Sequence, residues 1–393
     1  MVTTVIHTIK PAGGGHFSSL DAWAIGNLIL GDPGYPGPIS RNLVALDQIE
    51  VAEVYSGGSA IVAYLYLGSF TCDSTHYVVI RAASGHEHNG VWDTNKAYLS
   101  GALLRYGRNL YSYTEKMQFK STDNNPTVQT GDGYLTVNTA IFDRCLFIRT
   151  NNGAASGGVI STPNSYGVNP CTDIYRNCII IDNGTTDYRF GFTVTGGKTL
   201  RYLEIYNCTI LIAPGASWNQ AIYSSGGTIT TQNCYLGGNG AYYNDGGANV
   251  VYNKGANDAT KSNDAVTSTL RSIPSTTATF LNVTVGSENL RPVVTAGNKL
   301  LDNGANLSGS GVTADIVGTA RPQFGAYDIG AFENDVPICW NYTAQYKNSN
   351  KIFKASGCGV FPKTLQVPSN VDISTGKMVD DGIFINPDKY KII

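Results

Sequence analysis

Apolar and polar positions alternate in short bursts along this chain, and between residues 141 and 236 the bursts repeat. Four segments there are alike: Ile141-Phe-Asp-Arg-Cys145-Leu-Phe-Ile148, Ile174-Tyr-Arg-Asn-Cys178-Ile-Ile-Ile181, Ile205-Tyr-Asn-Cys208-Thr-Ile-Leu211 and Ile229-Thr-Thr-Gln-Asn-Cys234-Tyr-Leu236. Cys145, Cys178, Cys208 and Cys234 follow one another at spacings of 33, 30 and 26 residues. Asn177, Asn207 and Asn233 each stand one place before their cysteine, and Arg144 takes that place in the first copy. Every copy is rich in β-favouring residues, and Gly, Ser, Thr and Asn lie between copies. A repeat of roughly 25–35 residues with one main strand per unit predicts a solenoid. A unit this short cannot bury a face alone, so its neighbours must stack on it. Like then falls on like: a cysteine column inside, an asparagine column at the turn.

The pattern resembles the right-handed parallel β-helix family. In that family each coil is three short strands, an inward column of Ile, Val, Leu and Cys fills the core, and Asn stacks at a bend. Two further stretches carry the resemblance. Ile9-Lys-Pro-Ala-Gly-Gly-Gly-His16-Phe-Ser-Ser-Leu-Asp-Ala-Trp23 looks like the start of such proteins, a strand followed by a capping helix. Asp315-Ile-Val-Gly318-Thr-Ala-Arg321-Pro322-Gln-Phe-Gly325-Ala-Tyr327-Asp328-Ile329-Gly330-Ala331-Phe332-Glu333 looks like their usual last coil. The expected fold is all-β: a right-handed parallel β-helix with an N-terminal capping helix and a small C-terminal module.

Patterning divides the chain into three parts. Residues 1–38 are expected to form a strand and a lid. Ser18 or Ser19 can cap a helix, with Asp21 in its first turn, and Leu20, Trp23, Ala24 and Leu28 make its apolar face. Residues 39–335 are expected to be the solenoid, with coils beginning at 43–55. The stretch 106–137 reads as a longer excursion, and the polar stretch 258–275 as a loop. With ~26 residues per coil this predicts roughly eleven coils and a rod of about 50 Å. Residues 336–393 are Lys-rich and lack the coil period. They read as an assembly or attachment module, and resemble short end modules of bacteriophage fibre and appendage proteins.

Composition narrows the function. The net charge is −2, and no dense Lys/Arg cluster appears. Nucleic acid is therefore not an expected partner, since phosphate neutralisation needs a basic face. No apolar run reaches the ~18 residues that span a bilayer, and no charged-then-apolar secretory signal opens the chain. Four of the eight cysteines hold the repeated core position, where small reduced hydrophobes are expected. Cys339 and Cys358 lie in sequence of another kind and are the two that could bridge. These features suit a protein made in a reducing cytoplasm and released on a virion, with an extracellular or cell-surface location as the alternative.

Candidate chemistry is sparse. A glycoside hydrolase needs two carboxylates about 5–9.5 Å apart. Acids at one position on adjacent coils would lie ~4.8 Å apart. The acids that could line one coil face include Asp143, Asp173, Asp182, Asp187 and Glu204, and none belongs to a catalytic motif. The adjacent pair Asp380-Asp381 lies in the tail. No catalytic residue is assigned. His86-Glu-His88 has metal-like spacing, but the chain has five His in all, so a plain surface turn is expected, with no metal or cofactor. Tyr175, Tyr188, Tyr202 and Tyr206, with Arg176 and Arg189, are expected to form a mixed surface able to stack on sugar faces. Arg321 is expected to satisfy a carboxylate or carbonyls, Asp328 to accept backbone N–H groups, and Gly325 and Gly330 to supply positive φ.

The favoured expectation is a non-enzymatic virion appendage: a bacteriophage tail fibre, spike or capsid decoration. It would be a homotrimer that contacts host-surface polysaccharide or other virion proteins. The alternatives are a tailspike-type depolymerase, hydrolase or lyase, and a bacterial extracellular polysaccharide-binding protein.

Overall fold

The computed structural model describes residues 2–25, 42–56, 64–67, 70–101, 103–106, 110–122, 126–130, 138–150, 158–162, 171–184, 188–194, 201–212, 218–224, 227–236, 243–244, 249–253, 280–294, 298, 300–335, 339–346, 352–358, 371–380 and 383–385. The chain visits three parallel sheets in turn. The first sheet stacks nine strands: Thr3–Ile9, Gln48–Val54, Val78–Ala82, Leu110–Glu115, Asn138–Asp143, Cys171–Arg176, Arg201–Tyr206, Thr228–Gln232 and Asn249–Asn253. The second stacks Tyr98–Ser100, Gln118–Ser121, Leu146–Arg149, Ile179–Asp182, Thr209–Ile212 and Tyr235–Leu236. The third stacks Tyr64–Tyr66, Leu103–Tyr106, Val128–Thr130, Ile160–Thr162, Tyr188–Val194, Trp218–Ser224 and Tyr243–Asn244.

This is a parallel β-solenoid. Its most regular part is about four turns, those carrying Cys145, Cys178, Cys208 and Cys234. The expected eleven coils are too many, because the described residues of 280–335 add no strand to the stack. Nine strands at the usual spacing span roughly 38 Å. The stretch 106–137 is not a simple excursion, since strands of all three sheets lie in it.

Counting back from each cysteine gives the inward positions. Phe142, Tyr175, Ile205 and Thr231 stand three places before it, and Ala140, Asp173, Leu203 and Ile229 five places before. All eight are buried, and the backbone register pairs each with its neighbour. Like rings therefore stack: Phe142 on Tyr175 at 4.8 Å and Phe119 on Phe147 at 4.9 Å, both nearly coplanar.

The corner between the first and second sheets is a column of left-handed residues. Lys116, Arg144, Asn177, Asn207 and Asn233 have φ of 57°, 56°, 52°, 49° and 52°. Asn tolerates this region better than most side chains, which explains its recurrence. The thiols that follow stay free and buried. Each reaches a carbonyl of the preceding turn: Cys178 that of Phe142 at 3.5 Å, Cys234 that of Ile205 at 3.3 Å.

The second sheet is buried on both faces. Phe147, Ile180 and Ile210 point into the solenoid. Leu146, Ile148, Ile179, Ile181, Leu211 and Tyr235 point out and are covered by Phe280, Leu290, Leu300, Ile316, Ile329 and Phe332. A strand covered on both sides loses its polar alternation, hence the unbroken run Ile179-Ile-Ile181. The segment expected as a last coil is thus a side cover. The asparagine column docks it. Asn207 Nδ2 donates to the Asp328 carbonyl at 2.7 Å, and Asn233 exchanges bonds with the backbone of Ala305 at 2.7 and 2.8 Å. Gly330, at φ 98°, is needed because a Cβ there would sit 2.6 Å from Thr209 Oγ1. Gly325, expected to share that conformation, is not among the positive-φ residues.

Inside the cover, Arg321 donates to Glu333 at 2.8 Å and to the carbonyls of Asp328 and Gly330 at 3.1 and 2.9 Å. Asp328 accepts the N–H groups of Asp302 and Asn334 at 2.7 and 2.6 Å. Both roles are as expected.

At the other end, helix α1 (Leu20–Ile25) buries Leu20, Trp23 and Ala24 in the main core. Trp23 Nε1 donates to Glu50 at 3.2 Å, and His7 Nε2 lies 2.6 Å from the same carboxylate oxygen. At the start of the stretch expected as a first coil, Leu43–Leu46 forms a helical turn, α2, capped by Asn42 and closed by Asp47 at φ 54°, and the strand Gln48–Val54 that follows joins the stack. The C-terminal part is a separate antiparallel sheet, ordered Ile352–Cys358, Cys339–Tyr346, Val371–Asp380, Ile383–Ile385. Its backbone register sets Cys339 opposite Cys358. The stretch 258–275, Leu28, Asp187 and Asp381 lie outside the described residues.

The two-sided burial predicts equal penalties on both faces of the second sheet. Ile180→Ala and Ile181→Ala should each cost about 2–5 kcal/mol, read as a shift in urea midpoint. A near-neutral Ile181→Ala would mean that the outer face is solvated.

Candidate functional site on the outer face of the first sheet

Parallel, in-register pairing sets the outward side chains of the first sheet in columns. One column runs Tyr111, Thr139, Thr172, Tyr202, with Tyr77 beside Tyr111 one place before the Val78–Ser112 pair. The next runs Val79, Tyr113, Ile141, Ile174, Glu204. The third runs Glu53, Arg81, Glu115, Asp143, Arg176, Tyr206.

Where the first two columns carry tyrosines, the face is concave. Ser74, Tyr77, Tyr111, Ser112, Tyr113, Thr139 and Ile141 line a hollow of about 260 Å³. Tyr77, Tyr111 and Tyr113 are half-buried, so each keeps part of its surface open. Aromatic walls with hydroxyls at the rim offer stacking and hydrogen bonds together. Among the described residues, no charged side chain lines the hollow.

Its edge is the charged third column, and there the charges cancel locally. Arg81 pairs with Glu53 at 2.9 Å. Arg144 reaches from the corner to Glu115 and to Asp143, the latter at 3.1 Å. Asp143 also accepts from Tyr113 Oη at 3.0 Å and from Asn177 Nδ2 at 3.2 Å. Burial, and then the Asp143 and Glu115 charges, push the Tyr113 phenol far up, so it remains a donor. Glu115 and Asp143 sit on adjacent strands, the spacing a carboxylate pair would need. Both are committed to Arg144.

The other coil acids point different ways. Asp173 faces the core and accepts from Thr130 Oγ1 at 2.8 Å. Asp182 is fully buried and holds Arg149 through two bonds, 3.1 and 2.5 Å. Glu204 faces out and accepts from Tyr206 Oη at 3.1 Å. No two of these described acids form a pair across a cleft.

The expected sugar-binding residues do not make one surface. Tyr175 is fully buried in the solenoid core, and Arg189 is buried too. Tyr206 is packed against Leu307, Val312 and Tyr327 of the cover. Arg176 is half-buried under Gly311, and Tyr202 is half-buried on the outer face. The side chain of Tyr188 lies outside the described residues. The error is one of parity. The leading isoleucines suggest aligning Ile174 with Ile205, but the backbone pairs Tyr175 with Ile205. Alignment on the cysteines would have turned Tyr175 inward. Tyr111 and Tyr113 were missed because their turn carries Met117 at the cysteine position, and Tyr77 because it lies one turn earlier still, before the strand Val78–Ala82.

A second, larger hollow of about 380 Å³ lies on the cover, between Leu281, Arg291, Pro292, Val294 and Phe332. Its lining is mostly apolar, and Arg291 stacks on Phe332 at 4.6 Å. It lacks the convergent hydroxyls of the tyrosine hollow.

The turn 84–90 binds its own chain. His86 Nδ1 meets the Ser56 hydroxyl at 2.6 Å. His88 is buried, accepts from the Gly90 N–H at 3.0 Å, and holds the Arg144 carbonyl at 3.0 Å. The described residues hold no group of three or more His, Cys, Asp or Glu suited to a metal. Their helices include none long and apolar enough to cross a membrane.

Burial holds His88 down at about 4, despite the opposing bond to the Arg144 carbonyl. An unfolded histidine titrates near ~6.5. The stability this neutral histidine supports is therefore present above pH ~6.5 and is lost as pH falls toward 4, by ~3 kcal/mol. Urea midpoints at pH 7 and 4.5 should differ in that direction, and His88→Gln should flatten the slope.

No family model matches the chain, and neither the curated proteins nor the solved structures compared with it include a match.

Proposed function

We propose that this protein is a non-enzymatic appendage component of the kind carried by bacteriophage particles, and that it holds surface glycan in the tyrosine hollow of the first sheet. The observation that carries the reading is the pairing of an open aromatic hollow with a neutralised edge. Tyr77, Tyr111 and Tyr113 supply stacking surface, while Glu115 and Asp143 are held by one guanidinium. Such a surface binds a sugar ring without an acid and a base placed to cleave it. The uncharged lining favours neutral sugars over uronates.

The same proposal takes the solenoid to be right-handed, as nearly all parallel crossover connections are. It takes α1 to be the lid over the strand edge and core at the first turn. It takes the protein to work as a homotrimer beside other virion proteins, with the antiparallel C-terminal sheet as the attachment module.

The test is incubation with a panel of bacterial capsular and O-antigen polysaccharides, following both glycan retention and new reducing ends or unsaturated products. Retention without cleavage is expected. Tyr77→Ala with Tyr111→Ala should weaken retention about tenfold, while thermal unfolding of the variant checks that the rod remains intact. Release of product from any glycan would overturn the reading, and so would retention indifferent to both tyrosines.

A further inference from the structure

One rim of the tyrosine hollow is not built by the strand ladder. Ser74 and Tyr77 belong to the turn 73–77 that leads into the strand Val78–Ala82. Asp73 closes this turn on itself: its Oδ1 accepts the N–H groups of Thr75 and His76, both at 2.8 Å. The turn is tied to the preceding part of the solenoid by His76. Its Nε2 lies 3.0 Å from Asp47 Oδ1, and its Nδ1 lies 2.8 Å from Asp73 Oδ1.

Both ring nitrogens thus face a carboxylate oxygen. A neutral imidazole carries one N–H and one lone pair, so one of the two contacts would be lone pair against carboxylate. Only the imidazolium satisfies both. The charged groups facing His76 are Asp73 from its own turn and Asp47 from the end of α2. The Thr75 hydroxyl completes the cluster at 3.0 Å from Nδ1. Hydrogen bonds to Asp47 and then Asp73 raise the His76 pKa above its ordinary value.

We propose that His76, charged and clamped between Asp47 and Asp73, positions the Ser74–Tyr77 rim, so that the hollow is ordered while His76 holds its proton and is loosened as rising pH removes it. The sign follows from the raised pKa. The clamp is complete below pH ~6.5 and is lost as pH rises through the higher value of the folded protein. The cluster is partly exposed, so added salt weakens it. The consequence for ligand retention rests on the glycan reading above; the clamp itself does not.

Histidine-selective carbon-13 NMR reads the titration, with His76→Gln assigning the resonance. Hydrogen exchange of the amides of residues 73–77, corrected for the intrinsic pH dependence, reads the rim. His76 should titrate above the ordinary histidine value. Rim protection should fall about two- to fivefold between pH 6 and 9, and His76→Gln should show the lower protection at both. Titration at or below the ordinary value would overturn the proposal. So would rim protection indifferent to pH, or a pH dependence that survives in His76→Gln. A third arm measures retention, at pH 6 and 9, of whichever neutral polysaccharide of the panel is held at pH 6. It should drop with pH in the native protein and not in His76→Gln. If no glycan is held at pH 6, the glycan reading fails, and the NMR and exchange arms still decide the clamp.

Discussion

In-register parallel stacking is the constraint on which the rest of this structure depends. Each side chain lies about 4.8 Å from the one at the same place in the next turn, so every column must be compatible with itself. Apolar and aromatic columns satisfy this by packing, as Phe142 does on Tyr175. Thiols satisfy it by pointing at the carbonyls of the preceding turn. Charges satisfy it only by alternating. Two like charges at that distance would repel by about 3 kcal/mol at an effective dielectric of 20. The third outer column accordingly reads Glu53, Arg81, Glu115, and when Asp143 follows Glu115, Arg144 leans in from the corner to serve both.

The corner links the stack to its cover. A residue at φ near 50° turns the chain from the first sheet to the second, and Asn fills that place at modest strain. Once there, its amide has bonds to spare. Asn233 gives one to Asn207 at 3.1 Å, and both reach the backbone of the 300–335 segment. The cover needs that anchorage because it carries its own buried charges, Arg321 with Glu333. Burial, together with the Glu333 charge, lifts Asp328 to about 7 against the opposing backbone bonds. Such a network is costly if left half-satisfied. Its apolar side closes over Leu146, Ile179 and Leu211, and Trp92 packs against the same cluster.

The solenoid was legible because its repeat is written in two rare signals, a cysteine and the residue before it. Those mark the corner, and the corner fixes parity for the strand that precedes it. The extent of the stack was not legible. The turn with Lys116 and Met117 has the same backbone as the asparagine turns, but neither side chain advertises it. The cover was misread as a coil because a segment packed on a sheet needs the same apolar spacing as a segment within one. Its identity as a cover shows only in the second sheet, where Leu146-Phe-Ile148 and Ile179-Ile-Ile181 lack a polar face. The tyrosine hollow was missed for the same reason as its turn, and Tyr175 was grouped with outward residues although its place three before Cys178 matches that of the buried Ile205 before Cys208.

Stacking also bears on what such a surface can do. Cleavage of a glycosidic bond asks two nearby carboxylates to differ, one protonated and one not. A ladder works against this, because self-compatibility recruits a cation to each acid and makes the acids alike. A hollow of tyrosines is under no such pressure, since rings gain from neighbours of their own kind. The outward columns run out of charge between Tyr77 and Ile141, and the proposed binding is placed there for that reason. What the ladder cannot supply is a movable part, because every strand inside a sheet is held by two neighbours. Change at the hollow must enter through a segment outside the ladder, and on this face that segment is the turn held by Asp47, Asp73 and His76.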